Sequence, residues 1–499
     1  MPDCLSDGVT SYRRGSAASG AVTCLLKIAQ AAVAVSIVVL IACSNAPAES
    51  TFPLRTSDNG RYLLDRSGSP FLIHGDAAWS LLTGLTRDEA LEYLSARKRQ
   101  GFNTLLVNVL DDSYVQLRDG AKPFRDQHFS QPDERYFRHL EDILSVALRE
   151  GLLVMLVPVY LGCCKEGWKT EVGTNSVEEM RQFGRYLGAR VRKFQNVWWV
   201  LGGDRDPDDG FENHPRGLRK HIEALAAGIK EGWPDSILTA HTAHDNSARQ
   251  QYPDAPWLDI NNIYTYYPEE NLDPHVYVWA YREYEQNPPM PFFPIESAYE
   301  DDGRKQQTRL TIRRQAYWAI LSGAAGQMYG HGLTMSTKEG WRRGLNAPGA
   351  WDLAQAKTFF DGIPWHRLQP DLDGRIVVGG QSQFGDDLWI SAALADDGSL
   401  AVIYIPRAME PLSRKERLRT LLAGDVAGAW SGLRRRNVRI NFTHLRGVVS
   451  ASWFFPTTGL TEEIIGGHWS AATGVNSFEV PCHGEQQECD AVLVLQAGK

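Results

Sequence analysis

Between residues 51 and 370 the hydrophobic period switches back and forth between continuous apolar runs and capped helical segments, and this alternation leaves few folds open. Gly60–Asp76 holds two short apolar runs around Ser67 and Gly68, a hairpin leading into a buried strand. Thr86-Arg87-Asp88-Glu89 is a capping box, so a helix starts there and stops at Gly101. The unit then repeats. Apolar runs follow at Asn103–Val109, Leu152–Tyr160, Val197–Gly203, Ile237–His241, Asp259–Tyr267, Pro291–Glu296 and Ala324–Gly330. Helical patterns occupy Glu134–Glu150, Ser176–Lys193 with its own cap, Leu218–Lys230, His275–Gln286 and Gln307–Leu321. A continuous apolar strand suits a parallel sheet buried on both faces, and parallel neighbours need crossovers of this length. Eight strand candidates, each except the last followed by a helix or room for one, predict an α/β fold, the (β/α)8 TIM barrel. The competing doubly wound open sheet lacks the G-x-G-x-x-G turn after its first strand.

The flanks read differently. Ile28–Ala42 is an apolar run preceded by Arg13, Arg14 and Lys27 and followed by polar residues, the pattern of a secretory signal. It is shorter than the roughly 20 residues of a spanning helix. Leu40-Ile41-Ala42-Cys43 resembles the lipobox of bacterial lipoproteins. Residues 1–50 are therefore expected to be an export segment, with Cys43 lipidated and the protein in the cell envelope as a lipoprotein; cleavage after Ala48 and free secretion is the alternative. Such an anchor would be the protein's only link to a membrane. Of the seven cysteines, Cys482 and Cys489 are placed to close a loop as a disulfide in an oxidising compartment, Cys163 and Cys164 read as loop thiols, and none has zinc-ligand spacing. Past Asp371 the period becomes two, with turns at Gly, Asp and Pro, which predicts a β-sandwich over 371–499 after the α/β domain over 51–370. Arg434, Arg435, Arg436 and Arg439 form a basic cluster, read as a charged strand edge or as a contact for an acidic polymer. Acidic residues exceed basic ones, giving a net charge of −8, and no domain is strongly basic, which argues against a nucleic-acid partner.

In a TIM barrel chemistry sits at the C-terminal strand ends. Asp204 ends the fourth run and Glu296 the seventh, each where an apolar strand meets a loop, and a charge there is costly unless it is paired or used. Strands four and seven face each other across a barrel mouth. Glycoside hydrolysis needs two carboxyl groups so arranged, one to protonate the leaving oxygen and one to attack or to activate water. Trp79, Trp168, Tyr160, Tyr264 and Tyr266 are candidates for stacking on sugar, and Asp76, Asn108, His241 and His331 for binding its hydroxyls. The residues leave a second reading open, with Asp204 in a surface ion network beside Arg205 and Asp206. A metal-dependent hydrolase is disfavoured because His74-Gly75-Asp76 stands where His-x-His is wanted and His241-x-x-His244 has the wrong step; no metal and no cofactor are expected. A nucleophilic serine lacks its G-x-S-x-G.

These residues also carry a resemblance. Arg61–Val109 resembles the opening of the apiosidase-like glycoside hydrolases, WWVLGGD (Trp198–Asp204) and PIES (Pro294–Ser297) resemble their two catalytic segments, and WHRLQPD (Trp365–Asp371) resembles the link to the next domain. Ser452–Gly467 and Phe478–Leu495 resemble the sandwich that usually follows, named a collagen-binding domain. The resemblance implies a retaining (β/α)8 glycosidase with Asp204 as general acid/base and Glu296 as nucleophile, acting on an oligo- or polysaccharide; characterised relatives release apiose from the pectic polysaccharide rhamnogalacturonan II. The related barrel glycosidases usually carry Asn-Glu where this chain has Gly203-Asp204. Two further readings stand beside it: a glycosidase for another furanoside, such as an arabinofuranoside or galactofuranoside, and a non-catalytic surface protein that binds glycan or matrix through the sandwich.

Overall fold

Eight parallel strands surround one interior: β1 (Ile73–Ala77), β2 (Thr104–Asn108), β3 (Leu153–Val157), β4 (Val197–Gly202), β5 (Ile237–His241), β6 (Asn261–Tyr264), β7 (Phe292–Glu296) and β8 (Gly326–Tyr329). The computed structural model describes residues 51–498 except 112, 115, 127, 163–165, 210–215, 267–274, 304–307, 412–413, 425–432 and 484–488, so Cys43, Cys163 and Cys164 lie outside the described residues. Six strands pair in the order β8-β1-β2-β3-β4-β5, and β6 pairs in parallel with β7. The two sets are stitched together. The Ala325 N–H donates to the Phe292 carbonyl at 2.7 Å, the Asp259 N–H to the Leu238 carbonyl at 3.0 Å, and the Asn262 side chain to Ala240 at 2.6 Å. The ring is the (β/α)8 barrel that the alternation predicts.

The crossovers are α1 (Arg87–Arg99), α2 (Glu134–Arg149), α3 (Val177–Val191), α4 (Arg219–Gly232), α5 (Val276–Tyr284) and α6 (Arg309–Leu321), and α7 (Pro348–Asp361) follows β8. Both capping boxes form, at Thr86/Glu89 and Ser176/Glu179. Between β5 and β6 the described residues hold only one helical turn, Ala248–Gln251. The helix after β8, α7, was not expected, yet its signal is present: Pro348 stands in the first turn, and Ala350, Leu353, Ala356 and Phe360 recur on one buried face. Around β4 the packing is close. A Cβ on Gly184 of α3 would collide with the Leu225 carbonyl of α4, and one on Gly228 of α4 with Arg181 of α3, so these two helices meet backbone to backbone on either side of the strand that leads to Asp204.

Side chains alternate along each strand. Ile73, Ala77, Leu106, Leu153, Met155, Val157, Trp198, Val200, Phe293, Ile295 and Met328 fill the interior. Leu105, Val107, Val154, Leu156, Trp199, Leu201 and Leu238 face the helices. Gly75 is part of this fit, because a Cβ there would sit on the Met328 sulfur.

The C-terminal region stacks a six-stranded antiparallel sheet against a three-stranded one. The larger runs Leu368–Pro370, Ser391–Ala395, Leu400–Ile405, Ala491–Ala497, Val448–Phe455, Leu460–Ser470 in spatial order, the smaller Val377–Gly379, Asn437–Asn441, Val475–Glu479. Ile403, Ile405, Val438, Ile440, Phe478, Leu493 and Leu495 lie between them. The larger sheet's other face covers α6: the Tyr317 and Tyr404 rings stack at 4.6 Å, and buried Arg313 reaches Asp490 at 2.9 Å and Asp352 at 2.6 Å. Thr51–Lys499 is accordingly one compact unit. Cys482 and Cys489 are disulfide-bonded. In the basic cluster Arg434 pairs with Glu416, Arg435 with Glu479, and Arg436 is buried, its guanidinium donating to the Gly380 and Leu388 carbonyls. Among the described residues no helix is long and apolar enough to cross a membrane.

Candidate active site

The chain leaves β4 through two consecutive glycines in conformations that side chains avoid, Gly202 at φ 88° and Gly203 at φ 144°, and Asp204 itself sits at φ 22°. The turn is tight. A Cβ on Gly202 would lie 2.7 Å from the His241 carbonyl, and one on Gly203 2.5 Å from the Tyr160 ring. The result carries Asp204 over the barrel mouth, where burial and then the nearby negative charge of Glu296 push its pKa up to about 6.

Glu296 arrives by a different device. Strict alternation after Phe293 and Ile295, both interior, would turn residue 296 towards the helices. A β-bulge intervenes: Ile263 of β6 pairs with Pro294 but Tyr264 pairs with Glu296, so Ile295 is the extra residue and Glu296 faces inward beside Tyr264. Bulges next to active sites re-aim side chains in this way.

His241, at the end of β5, links the two acids. Its Nε2 hydrogen-bonds Glu296 Oε2 at 2.8 Å, and its Nδ1 lies 3.5 Å from Asp204 Oδ1. Burial alone would lower the pKa of this fully enclosed imidazole. The hydrogen bond to Glu296 and the charges of both carboxylates outweigh burial and raise it. An imidazolium between two carboxylates compensates charge that the barrel would otherwise expel. One ligand atom from each of the three residues lies within 4.8 Å of the other two, so an oxygen of Asp204 and one of Glu296 are at most that far apart. Among the described residues this is the one trio of such groups close enough to hold a cation.

Around the trio the tyrosines close in. The Tyr160 and Tyr264 hydroxyls beside Asp204 favour its charged form, the Tyr160 hydroxyl donates to Glu166 at 3.4 Å, and the Tyr264 ring meets His241 edge-on at 4.7 Å. Trp79 lies 5.5 Å from Tyr160 and 5.6 Å from His241, ring centre to ring centre. Its indole N–H donates at 2.8 Å to the Tyr299 hydroxyl, which also hydrogen-bonds Glu296. Tyr266 lies parallel to Tyr264 at 6.5 Å and half exposed at the rim. Asn108, at the end of β2, is buried with its Oδ1 unpartnered, while its N–H donates to the Trp79 carbonyl. An acceptor in that position is available to a hydroxyl.

Three expected contacts lie elsewhere. Asp76 has the outward parity of β1, and its carboxylate pairs with Arg97 of α1 at 3.0 Å and accepts from Tyr93 at 2.5 Å, a buried tie between strand and helix. Trp168 packs against Phe124 in the outer layer. His331 accepts from the Leu333 N–H in the turn after β8, and burial lowers its pKa to about 4. Asp204 is not in an ion network with Arg205 and Asp206; Asp206 pairs with Arg219 instead. Tyr299 was missed. A tyrosine three residues past a strand-end carboxylate carries no signal of its own, and only the fold shows it touching Glu296.

Compared with known proteins, residues 57–367 match the model of the apiosidase-like catalytic domain family. A solved structure described as a glycoside hydrolase superposes with a TM-score of 0.72 at 23% identity, covering 90% of this chain and 97% of its own. A glycoside hydrolase family 5 structure from Bacteroides vulgatus superposes with a TM-score of 0.72 at 21% identity, covering 89% and 93%. Identities this low speak for the fold, which these structures share from the first barrel strand into the C-terminal sheets. No curated protein matches the sequence.

Proposed function

This chain belongs to the apiosidase-like glycoside hydrolase family, and from that premise we propose that it cleaves glycosidic bonds with retention of configuration, using Glu296 as nucleophile and Asp204 as general acid/base. The observation that carries the reading is the pair of carboxyl groups facing each other with oxygens within 4.8 Å. Retaining enzymes hold the two groups about 5–5.5 Å apart, whereas inverting ones leave about 6.5–9.5 Å for a water.

In the first half-reaction Asp204, whose raised pKa keeps a proton available near pH 6, gives that proton to the leaving oxygen while Glu296 attacks the anomeric carbon. In the second, Asp204 takes a proton from water, which displaces the sugar from Glu296. His241 and Tyr299 hold the nucleophile in line through their hydrogen bonds. Trp79, Tyr160, Tyr264 and Tyr266 supply the aromatic wall for the sugar, and Asn108 an acceptor for a hydroxyl. General acid–base assistance of this kind contributes about 10²–10⁴-fold.

The proposed substrate is a pectic glycan, with apiose on rhamnogalacturonan II side chains as the residue released. The proposed location is the bacterial cell envelope, through a lipid on Cys43. The Cys482–Cys489 disulfide supports an oxidising compartment, and a Cys43→Ala variant that still incorporated fatty acid would remove the lipid anchor from the account. A panel of pectic oligosaccharides and aryl furanosides, the arabinofuranoside and galactofuranoside included, tests the enzyme assignment on the wild type, Asp204→Asn and Glu296→Gln. Both variants should lose several orders of magnitude in rate on whichever substrate is cleaved. Activity that survives both substitutions would overturn the roles given to Asp204 and Glu296, and a wild type that cleaves nothing in the panel would leave a surface protein acting through its sandwich.

A further inference from the structure

A cavity of about 730 Å³ opens at the N-terminal end of the barrel, away from Asp204 and Glu296, where residues that precede β7 and β8 meet the opening hairpin and the strand Leu368–Pro370. Small-molecule sites fall in the range of about 300–1,000 Å³. Its walls are aromatic. Tyr62 meets Trp365 edge-on at 6.2 Å and tilts over His366 at 5.2 Å. The Arg61 guanidinium lies 4.1 Å from the centre of the Tyr284 ring and donates to the Tyr284 carbonyl at 2.5 Å. Two glycines shape the space: a Cβ on Gly323, at φ 92°, would collide with the Tyr284 ring, and one on Gly60, at φ 70°, with the Pro289 carbonyl.

The charges in this cavity are not balanced. Arg367 is held by Asp396 at 2.5 Å and Asp397 at 3.1 Å. Arg61 has no carboxylate partner among the described residues, and the bond to Tyr284 leaves most of its donors unused. A planar guanidinium with free donors matches a carboxylate in bidentate fashion. Aromatic walls beside it suit the C–H faces of a pyranose ring, and Asp396 at the rim can accept from hydroxyls. We infer that this cavity is a second, non-catalytic site that binds a uronate residue of an acidic glycan, its carboxylate on Arg61 and its ring against Tyr62. A polymer held there raises the local concentration of its own side chains at the mouth. The inference stands on this cavity's residues and not on the roles given to Asp204 and Glu296.

The test is calorimetric titration of trigalacturonate into the full chain carrying Glu296→Gln, chosen to suppress turnover. Binding should weaken at least about tenfold on adding Arg61→Gln, the loss expected for a hydrogen bond to a charged group, and should also weaken with Tyr62→Ala. The neutral galactotriose should bind at least about tenfold more weakly than trigalacturonate. If Arg61→Gln unfolds the chain, Arg61→Lys keeps a donor to Tyr284 but loses the fork, and it too should weaken binding. No binding by the parent, equal binding by the Arg61 and Tyr62 variants, or equal binding of galactotriose would each overturn the inference.

Discussion

Asp204→Asn should disable the enzyme and stabilise the protein, and the second effect depends on pH in a way that follows from the site. Burial and the Glu296 charge raise the Asp204 pKa from 3.8 to about 6. The folded state therefore binds a proton that the unfolded state has already released between those two values. With the folded pKa above the unfolded one, stability linked to this group is fully present below pH 3.8 and is lost as pH rises through about 6. A shift of about two units at roughly 1.36 kcal/mol each makes the ionised Asp204 cost about 3 kcal/mol above pH 7. Asparagine keeps the shape of the side chain and carries no charge, so the variant should be more stable by about 3 kcal/mol at pH 8 and by nearly nothing at pH 4. At about 2.1 cal/mol/K per residue, a unit of this size gains roughly 3 °C in unfolding midpoint from that difference. Thermal unfolding of wild type and variant from pH 4 to pH 8 measures it. A gap that stays constant across the range would refute the buried, proton-holding environment assigned to Asp204.

Three other outcomes follow from the same geometry. The rate of glycoside cleavage should fall above pH about 6 as Asp204 loses its proton, and His241→Asn should move that limb to higher pH, because the His241 charge lowers the Asp204 pKa; a limb that stays or moves down contradicts the arrangement. Gly203→Ala forces a methyl group onto the Tyr160 ring at φ 144°, and the displaced Asp204 should cost about 100-fold in kcat, read in steady-state kinetics; an unchanged rate would show the turn is not needed. Asp490→Asn should destabilise the chain by about 3 kcal/mol, because Arg313 is fully buried and loses a charged partner; a loss like that of an exposed pair, below about 1 kcal/mol, would mean the junction between barrel and sandwich does not depend on it.

Much of this architecture was legible in the sequence because it is written in period. A run such as Leu152–Tyr160 has no polar face to present to water, and the Thr86 and Ser176 boxes mark helix starts by local hydrogen bonding alone. Helix α7 escaped because its apolar positions sit among small residues after a long loop. Site residues were legible only where strand ends and chemistry coincide, as at Asp204 and His241. Asp76 stands at a strand end too, but an apolar run buried on both faces gives no sign of parity, and one step decides between the mouth and Arg97. Glu296 was reached although strict alternation would turn it outward; the bulge that turns it inward depends on how β6 and β7 pair, which no local pattern records. Tyr299 became visible only when Trp79, 220 positions earlier in the chain, was seen to bond it.

The central claim is double displacement at Glu296. Its most direct test is proton NMR of the first-formed product as the wild-type protein cleaves an aryl apiofuranoside, recorded before mutarotation. The account predicts that the released sugar carries the anomeric configuration of the substrate. Release of the opposite anomer would contradict it, because a single displacement by water leaves no role for Glu296 as nucleophile.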